Sequence, residues 1–342
     1  MSGDRAVSLE VTPLALAIDC EQVSGEIVAA LRRIVGRDLR RQGAVVGLSG
    51  GIDSSVTCAL CARAFGPERT VAILMPEADS DEKTLGLSSC VAEAIGVDTV
   101  YEDVTPILEA VRCYDRRDEA VRKLIPDFTR EWRWKIVLPS VLGSDVYRVF
   151  HLVAESPDGE TVRMRLPAES YLAITAATNF KQRVRKMIEY YHADRLNFAV
   201  VGTPNRLEYD QGFFVKVGDG AADVKPIAHL YKTQAYQLAE YLGIPESVRQ
   251  RTPTTDTYSL VQSQEEFYFS VPYEKMDLCL YAHNKGLPPE AVAAAVGLVV
   301  QDVERIFRDI EQKRRATRYL HLPAILAEPV PEVPGMPQET VT

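Results

Sequence analysis

Short apolar runs alternate along this chain with longer stretches in which apolar residues are spaced three or four apart. The runs at 44–48 and 71–75 are almost continuously apolar, and Gly or Pro follows each within two residues. Helical spacing characterises residues 21–42 and the stretch that begins near Asp53. Strands that alternate with helices in this way predict parallel βαβ units. We therefore predict an open, mostly parallel α/β sheet with helices on both faces.

The same pattern predicts further elements and the domain organisation. Strands are expected at Asp98–Tyr101 and 197–201, and helices at 80–95, 171–192, 231–242, 288–296 and 300–317, which make the C-terminal part helical. Residues 204–226 are rich in glycine and charge and predict a structured loop. We expect a single domain over residues 1–328. The tail at 329–342 holds four prolines and few apolar side chains, so it is expected to be disordered.

Residues 114–167 interrupt this alternation. They contain a charged stretch and both tryptophans, followed by two runs rich in β-branched residues at 146–154 and 161–166. Asp158-Gly159 lies between the two runs, and Asp-Gly in that position is typical of a hairpin turn. We therefore predict an inserted β-hairpin or lid in this segment.

Composition and charge narrow the possible function classes. The 342 residues are 25 % charged and 46 % hydrophobic, as in a soluble globular protein. No apolar run approaches the roughly 18 residues of a membrane span, and no signal peptide is evident, so a cytoplasmic location is expected. The net charge of −9 argues against a nucleic-acid-binding protein. Six irregularly spaced cysteines do not indicate a disulfide framework.

The most informative chemistry lies in Ser-Gly-Gly-Ile-Asp-Ser-Ser at residues 49–55, between a predicted strand and a predicted helix. Two glycines let the backbone turn tightly and approach an anion, and the helix start directs free N–H groups and its positive dipole end to the same place. The serine hydroxyls can donate further hydrogen bonds, and Asp53 can hold a divalent cation that bridges phosphate oxygens. This pattern predicts a nucleotide phosphate site, with an ordinary Gly-rich turn as the alternative.

This stretch resembles the pyrophosphatase-type loop (PP-loop) of ATP pyrophosphatases, which cleave ATP between its α- and β-phosphates and adenylate an acceptor. Residues 201–234 resemble, in turn, the signature of NAD synthetases: they contain Val-Gly-Thr at 201–203, Glu208, Gly-Asp-Gly-Ala-Ala-Asp at 218–223 and Lys232. The similarity is collinear over roughly residues 20–110 and 175–315. It implies an adenine nucleotide alpha hydrolase-like fold.

The resemblance also implies roles for individual residues. ATP would be bound by Gly47, Leu48, Ser49, Gly50, Gly51, Ile52, Asp53, Ser54, Ser55, Thr203, Lys232 and Thr254. Asp53 and Glu208 would hold Mg²⁺, and Lys232 would neutralise the phosphates, so these three form the expected catalytic set. The acceptor would contact Asn179, Arg183, Lys216, Asp219, Asp223 and Lys313.

The implied activity is amide formation without a protein nucleophile. A carboxylate would attack the α-phosphorus of ATP, and ammonia would then displace AMP from the acyl-adenylate. The leading acceptor is nicotinate adenine dinucleotide (deamido-NAD), which would give NAD. Nitrogen would come from free ammonia or from a separate glutaminase subunit. The resemblance further implies a homodimer with the acceptor site at the subunit interface, and we expect subunit contacts near residues 171–192 and 288–317.

Three departures from the family pattern leave other functions open. Family members have a short connection where this chain has residues 114–167. Gln312-Lys313 stands where the family carries a His-Lys pair, and residues 204–207 differ from the small, apolar residues usual before the glutamate. One alternative is therefore an amide ligase derived from an NAD synthetase that acts on a different carboxylic acid. A non-catalytic nucleotide-binding protein is the alternative from another class.

Overall fold

The computed structural model describes residues 11–143, 149–254, 257–330 and 332–333. The strands of this part are β1 (Ala44–Gly47), β2 (Thr70–Leu74), β3 (Asp98–Tyr101), β4 (Arg133–Val137), β5 (His151–Glu155), β6 (Thr161–Arg165) and β7 (Ala199–Val200). A parallel sheet has the order β3-β2-β1-β7, and an antiparallel sheet has the order β4-β5-β6. The predicted α/β class is confirmed.

Helices surround both sheets. They are α1 (Cys20–Leu31), α2 (Ile52–Phe65), α3 (Glu82–Ile95), α4 (Thr105–Ala110), α5 (Cys113–Arg122), α6 (Ala168–Leu196), α7 (Arg206–Gln211), α8 (Lys232–Tyr241), α9 (Glu246–Arg249), α10 (Tyr273–Asn284), α11 (Glu290–Val296) and α12 (Val300–His321). Short 3₁₀ segments occupy Pro13–Leu16 and Pro67–Arg69, and π-helical segments occupy Arg32–Asp38 and Glu265–Phe269. In the described part of the chain, no helix is long and apolar enough to cross a membrane.

The parallel sheet is buried on both faces at β1, β2 and β7, whereas the edge strand β3 is mostly exposed. Successive side chains of a strand point to opposite faces, so Val46 packs into the cluster formed with α1, α2 and α8, whereas Val45 packs into the cluster formed with α6. Phe198, which precedes β7, belongs to the α6 side, and Val201, which follows it, belongs to the other. With both faces covered, the carboxyl ends of the strands are the place where a ligand can reach the sheet.

The predicted hairpin is present, but it is only part of the insertion. β5 and β6 pair antiparallel on either side of the predicted turn, and β4 adds a third strand to them. Residues 146–148, where the first of the two strands was predicted to begin, lie outside the described residues. Helix α5 was not predicted because its buried face includes Arg117 and Asp118 together with Ala120 and Val121, which weakens the apolar periodicity.

Buried charges attach the insertion to the loop that follows β2. The Lys181 ammonium on α6 lies 2.8 Å from a Glu77 carboxylate oxygen and 2.6 Å from an Asp79 carboxylate oxygen. Arg117 on α5 forms an ion pair with the same Asp79. Because these charges neutralise one another away from water, separating the helix from the loop would leave buried charges unpaired. The network therefore fixes the insertion over the end of β2.

Other differences from the predicted pattern lie in the second half of the chain. The predicted loop at 204–226 contains helix α7, and helices α9 and α10 were not predicted. Helix α4, in the first half, was also missed. The tail predicted to be disordered lies mostly outside the described residues.

Candidate functional site

A cavity of about 1000 Å³ opens at the carboxyl ends of β1, β2 and β7. One wall is the loop between β1 and α2, and α6 and α12 form others. The insertion adds Leu138, Val141 and Phe150 to the lining. The cavity therefore occupies the edge at which open parallel sheets bind ligands, and the insertion covers part of it.

Gly50 gives the loop its shape. Its φ of +66° is unfavourable for residues with a Cβ. A Cβ built there would lie 2.9 Å from the Leu87 Cβ and 3.0 Å from the Ser88 backbone nitrogen on α3. Glycine at this position thus allows both the turn and the close approach of α3.

The loop hydroxyls hold one another at the start of α2. Ser54 Oγ accepts a hydrogen bond from the Ser49 N–H at 3.3 Å and donates one to the Gly51 carbonyl at 3.1 Å. The two serine hydroxyls lie 3.2 Å apart. The α2 N-terminus follows immediately, so N–H groups, hydroxyls and the positive helix end face one part of the cavity. This arrangement suits a phosphate.

The three predicted catalytic residues lie together beside this loop. Lys232, the first residue of α8, forms an ion pair with Asp53, the second residue of α2. Only 2 % of the Lys232 side chain is exposed. The other Asp53 oxygen accepts a hydrogen bond from Asn205 Nδ2 at 3.2 Å. All of these charges line or adjoin one wall of the cavity.

Asn205 also connects Asp53 to Glu208. It caps α7, with its Oδ1 accepting from the Glu208 N–H at 3.2 Å, while Glu208 Oε2 accepts from the Asn205 N–H at 3.3 Å. Gln264 Nε2 donates to the remaining Glu208 oxygen at 2.9 Å. A reciprocal capping box and a side-chain amide thus orient Glu208 toward Asp53 and Lys232.

Burial and neighbouring charge shift the pKa values of this cluster. Burial, reinforced by the charge of Asp53, raises the pKa of Glu208 to about 8, against the opposing effect of Lys232. Burial lowers the pKa of Lys232, but the carboxylates of Asp53 and Glu208 outweigh it and the net shift is upward. Lys232 is therefore an ammonium, and the two carboxylates favour a further cation beside them.

Asp277 holds the backbone at Lys232 in place. Its carboxylate, fully buried on α10, accepts from the Lys232 N–H at 3.3 Å and from the Thr233 N–H at 2.7 Å. Burial raises the pKa of Asp277 to about 7, although the hydrogen bonds from Thr233 oppose the shift. The carboxylate satisfies the free N–H groups at the start of α8 and so fixes the helix end that carries Lys232.

Most residues predicted to bind ATP or the acceptor line this cavity. The lining includes Gly47, Leu48, Ser49, Gly51, Ile52, Asp53, Ser54, Thr203, Glu208, Lys232, Thr254, Asn179, Arg183, Lys216, Asp219 and Lys313. Gly50 and Ser55 lie behind it, with Ser55 Oγ donating to the Gly51 carbonyl at 2.7 Å. The structure does not bring Asp223 into the cavity: its carboxylate accepts from the Val200 N–H at 2.8 Å and from the Tyr190 hydroxyl at 3.2 Å.

Two of the predicted acceptor residues, Lys216 and Lys313, lie at α12. Lys216 Nζ donates to the Tyr319 and Leu322 carbonyls at 2.7 and 2.9 Å, and Lys313 Nζ lies 2.7 Å from an Asp309 oxygen. Asp219 accepts from the Val215 N–H at 2.8 Å, and burial raises its pKa. These four charged residues therefore contribute two cations and two carboxylates to the cavity lining.

Three positioning residues were not among the predicted site residues: Asn205, Gln264 and Asp277. The spacing of Asn205 and Glu208 matches a capping box and could have predicted α7 and its cap. Gln264 lies 56 residues from Glu208, and Asp277 lies 45 residues from Lys232. No local pattern marks either contact, because both depend on how distant helices pack.

Comparison with known proteins identifies the family. The family model described as NAD synthase matches residues 23–126 and 161–318. The chain belongs to the NAD synthase family. The segment between the two matched ranges contains β4 and β5, so most of the insertion lies outside the family model. The resemblance inferred from the loop and from residues 201–234 is confirmed.

Relatives of this NAD synthase family member match nearly its whole length. It is 57 % identical over 318 residues to the "NH(3)-dependent NAD(+) synthetase" of Rhizobium meliloti (strain 1021), covering 93 % of this chain and 95 % of that protein. It is 55 % identical to the protein of the same description from Rhizobium rhizogenes (strain K84 / ATCC BAA-868), covering 92 % and 95 %. The solved "NMN synthetase from Francisella tularensis" has a TM-score of 0.62 at 21 % identity, covering 91 % and 99 %, and supports the fold alone.

Proposed function

We propose that this chain is an ATP- and Mg²⁺-dependent ligase that converts deamido-NAD and ammonia to NAD through an acyl-adenylate. The observation that carries the proposal is the convergence of Asp53, Glu208 and Lys232 beside a loop built to hold phosphate. The two rhizobial relatives are NH(3)-dependent NAD(+) synthetases that match over more than nine-tenths of this chain, which supports deamido-NAD as the acceptor.

The chain's own groups account for handling of the triphosphate. The loop N–H groups and serine hydroxyls hold phosphate oxygens at the start of α2. The Lys232 ammonium, fixed by Asp277, faces the region where negative charge grows as pyrophosphate departs. A cation held in place in a poorly hydrated site stabilises that charge without reorganising during the reaction.

Asp53 and Glu208 fit a magnesium ion. Mg²⁺ prefers oxygen ligands and is bound through one or two carboxylates together with substrate phosphates. Both carboxylates line the cavity beside the phosphate loop. Burial, and after it the charge of Asp53, raises the pKa of Glu208, and a bound cation would favour its ionised form. When bound, the ion would polarise phosphate oxygens and offset their charge.

The reaction then needs no protein nucleophile. A carboxylate oxygen of the acceptor attacks the α-phosphorus, the bond to the bridging oxygen breaks, and pyrophosphate leaves. Ammonia attacks the acyl carbon, and AMP leaves as the carbon–oxygen bond breaks. Arg183, Lys216 and Lys313 lie at the end of the cavity available to the anionic acceptor.

We propose free ammonia as the nitrogen donor, without a glutaminase subunit. The relatives that match almost end to end are described as NH(3)-dependent. Their identity of 53–57 % over 92–93 % of the chain also favours deamido-NAD over a different carboxylic acid. A cytoplasmic location remains a prediction from the sequence.

We further propose a homodimer that uses the exposed face of α6. Met187 and Tyr191 on this helix are 55 % and 60 % exposed, and Tyr101 is 59 % exposed. Glu102, which follows Tyr101, lies 2.8 Å from His192 Nε2, so the end of β3 packs against α6 near this face. Grouped exposed apolar side chains are typical of interaction surfaces. Sedimentation analysis should show a dimer for the wild type and a shift toward monomer for a Met187→Glu/Tyr191→Glu variant.

The activity test combines purified protein with ATP, Mg²⁺, ¹⁵N-ammonium and deamido-NAD. We expect ¹⁵N-labelled NAD, AMP and pyrophosphate in equal amounts. AMP release with another carboxylic acid and none with deamido-NAD would favour the alternative acceptor. ATP left intact with every acid would favour a non-catalytic nucleotide-binding protein.

A further inference from the structure

An ion pair on α6 lines the cavity but has no part in the mechanism above. Lys186 Nζ lies 2.6 Å from Glu189 Oε2, and the two side chains are 7 % and 8 % exposed. Both residues contribute to the cavity lining. A buried ion pair is weak evidence for stability, since apolar residues of similar size are often as stabilising. Its position on the cavity wall calls for another explanation.

The pair lies against the end of β1. A Cβ built on Gly47 would come within 2.8 Å of Glu189 Oε1, so the absence of a side chain there makes room for the carboxylate. Lys186 occupies Oε2, and among the described residues no hydrogen bond to Oε1 is found. The glutamate thus has one oxygen held by a cation and one oxygen available beside the strand that leads into the phosphate loop.

This position matches the sugar of a nucleotide whose phosphates occupy the loop. Gly47 precedes Ser49 by two residues, about 7 Å along an extended chain, which is comparable to the distance from a nucleotide's outer phosphates to its ribose hydroxyls. The Met75 Cε lies 3.3 Å from the same Cβ position, and Ile73 and Leu74 also line the cavity. A carboxylate for the sugar and an apolar surface for the base therefore lie side by side.

We propose that Glu189 accepts a hydrogen bond from a ribose hydroxyl of ATP through Oε1, and that Lys186 positions the carboxylate through Oε2. A carboxylate near the end of a parallel strand is well suited to a ribose hydroxyl, which must donate its proton to an acceptor. The proposal rests on the proposed function, because it takes ATP as the nucleotide in the loop. It makes the Lys186–Glu189 pair a determinant of specificity for ribonucleotides.

The test compares ATP, 2′-deoxy-ATP and 3′-deoxy-ATP in NAD formation and in direct calorimetric binding. We expect the wild type to disfavour at least one deoxy analogue about 10- to 100-fold in both kcat/KM and affinity, as for a hydrogen bond to a charged group. The main variant is Lys186→Met/Glu189→Leu, because removing one partner alone would leave an unpaired buried charge. It should lose the discrimination between ATP and the deoxy analogues.

Asp194→Asn is the matched control, because Asp194 is an exposed carboxylate on the same helix that does not line the cavity. It should keep the wild-type discrimination. A wild type that forms NAD equally well from all three nucleotides would overturn the role of Glu189. A double variant that lowers kcat/KM equally for ATP and for both deoxy analogues would also overturn it, since an equal loss indicates a structural role only. A wild type that forms no NAD from ATP would instead contradict the proposed function.

Discussion

Replacing Lys232 with methionine removes the ammonium that offsets the Asp53 and Glu208 carboxylates. The Lys232 and Asp53 side chains are 2 % and 14 % exposed, so the pair is shielded from water. Breaking such a pair from one side costs about 3–5 kcal/mol, because the remaining charge is left buried and uncompensated. We expect Lys232→Met to lower the free energy of unfolding by that amount and kcat by about 100- to 1000-fold.

A second substitution separates the two effects. Adding Asp53→Asn to Lys232→Met removes the orphaned charge, so stability should recover by at least about 1 kcal/mol relative to Lys232→Met alone. NAD formation should not recover, because the double variant lacks both the ammonium of Lys232 and the carboxylate of Asp53 that we propose to bind Mg²⁺. Lys123→Met is the control, since the pair of Lys123 with Glu169 is 62 % and 84 % exposed and should contribute little.

Urea unfolding in EDTA measures stability without the stabilising effect of a bound metal, and a coupled assay measures NAD formation. The reasoning is refuted if Lys232→Met unfolds at the wild-type urea concentration. It is also refuted if the loss of stability in the double variant equals the sum of the losses in Lys232→Met and in Asp53→Asn. Retention of wild-type kcat in Lys232→Met would also refute the assigned role.

Four further outcomes are expected. Gly50→Ala should lower the free energy of unfolding by about 1–3 kcal/mol, because Gly50 has a positive φ and lies against α3. Gly86→Ala is the control: Gly86 lies on an exposed face of α3 with open space around it, so this substitution should raise the melting temperature. Glu208→Gln should raise the Mg²⁺ concentration needed for half-maximal NAD formation at least about tenfold, and an unchanged Mg²⁺ titration would contradict its role. Arg117→Met should cost about 1–3 kcal/mol and speed amide exchange in β4–β6 more than in β1, since Asp118 loses its closest cation and Asp79 keeps Lys181 alone. With a pKa of about 7, folded Asp277 keeps between about pH 4 and pH 7 a proton that the unfolded chain has lost. Wild-type stability should therefore fall over this range relative to Asp277→Asn, and parallel pH profiles of the two proteins would refute this.

The sheet and the phosphate loop were predictable from the sequence because their determinants are local. β1 and β2 are almost continuously apolar runs, which is what a strand buried on both faces requires. The loop residues are contiguous, and the following helix start fixes where their N–H groups point. Grouping Asp53 with Glu208 and Lys232 required the family resemblance, since local patterns do not show that three distant segments meet.

The insertion and the supporting residues were harder to predict from the sequence. Helix α5 buries Arg117 and Asp118, which pair with each other and, for Arg117, with Asp79. Charged residues on the buried face break the apolar periodicity, so the pattern did not indicate a helix. Gln264 and Asp277 act through contacts with residues that are distant in the sequence. Asp223 was assigned to the acceptor by resemblance, whereas its carboxylate in this chain holds the β7 backbone.

Transfer of oxygen from the acceptor to AMP tests the central claim most directly. Deamido-NAD labelled with ¹⁸O in its carboxylate is incubated with the protein, ATP, Mg²⁺ and ammonium, and the products are analysed by mass spectrometry. Attack of the carboxylate on the α-phosphorus predicts one ¹⁸O in each AMP released and one retained in the amide of NAD. AMP without label, or label in pyrophosphate or inorganic phosphate, would contradict adenylation at this loop.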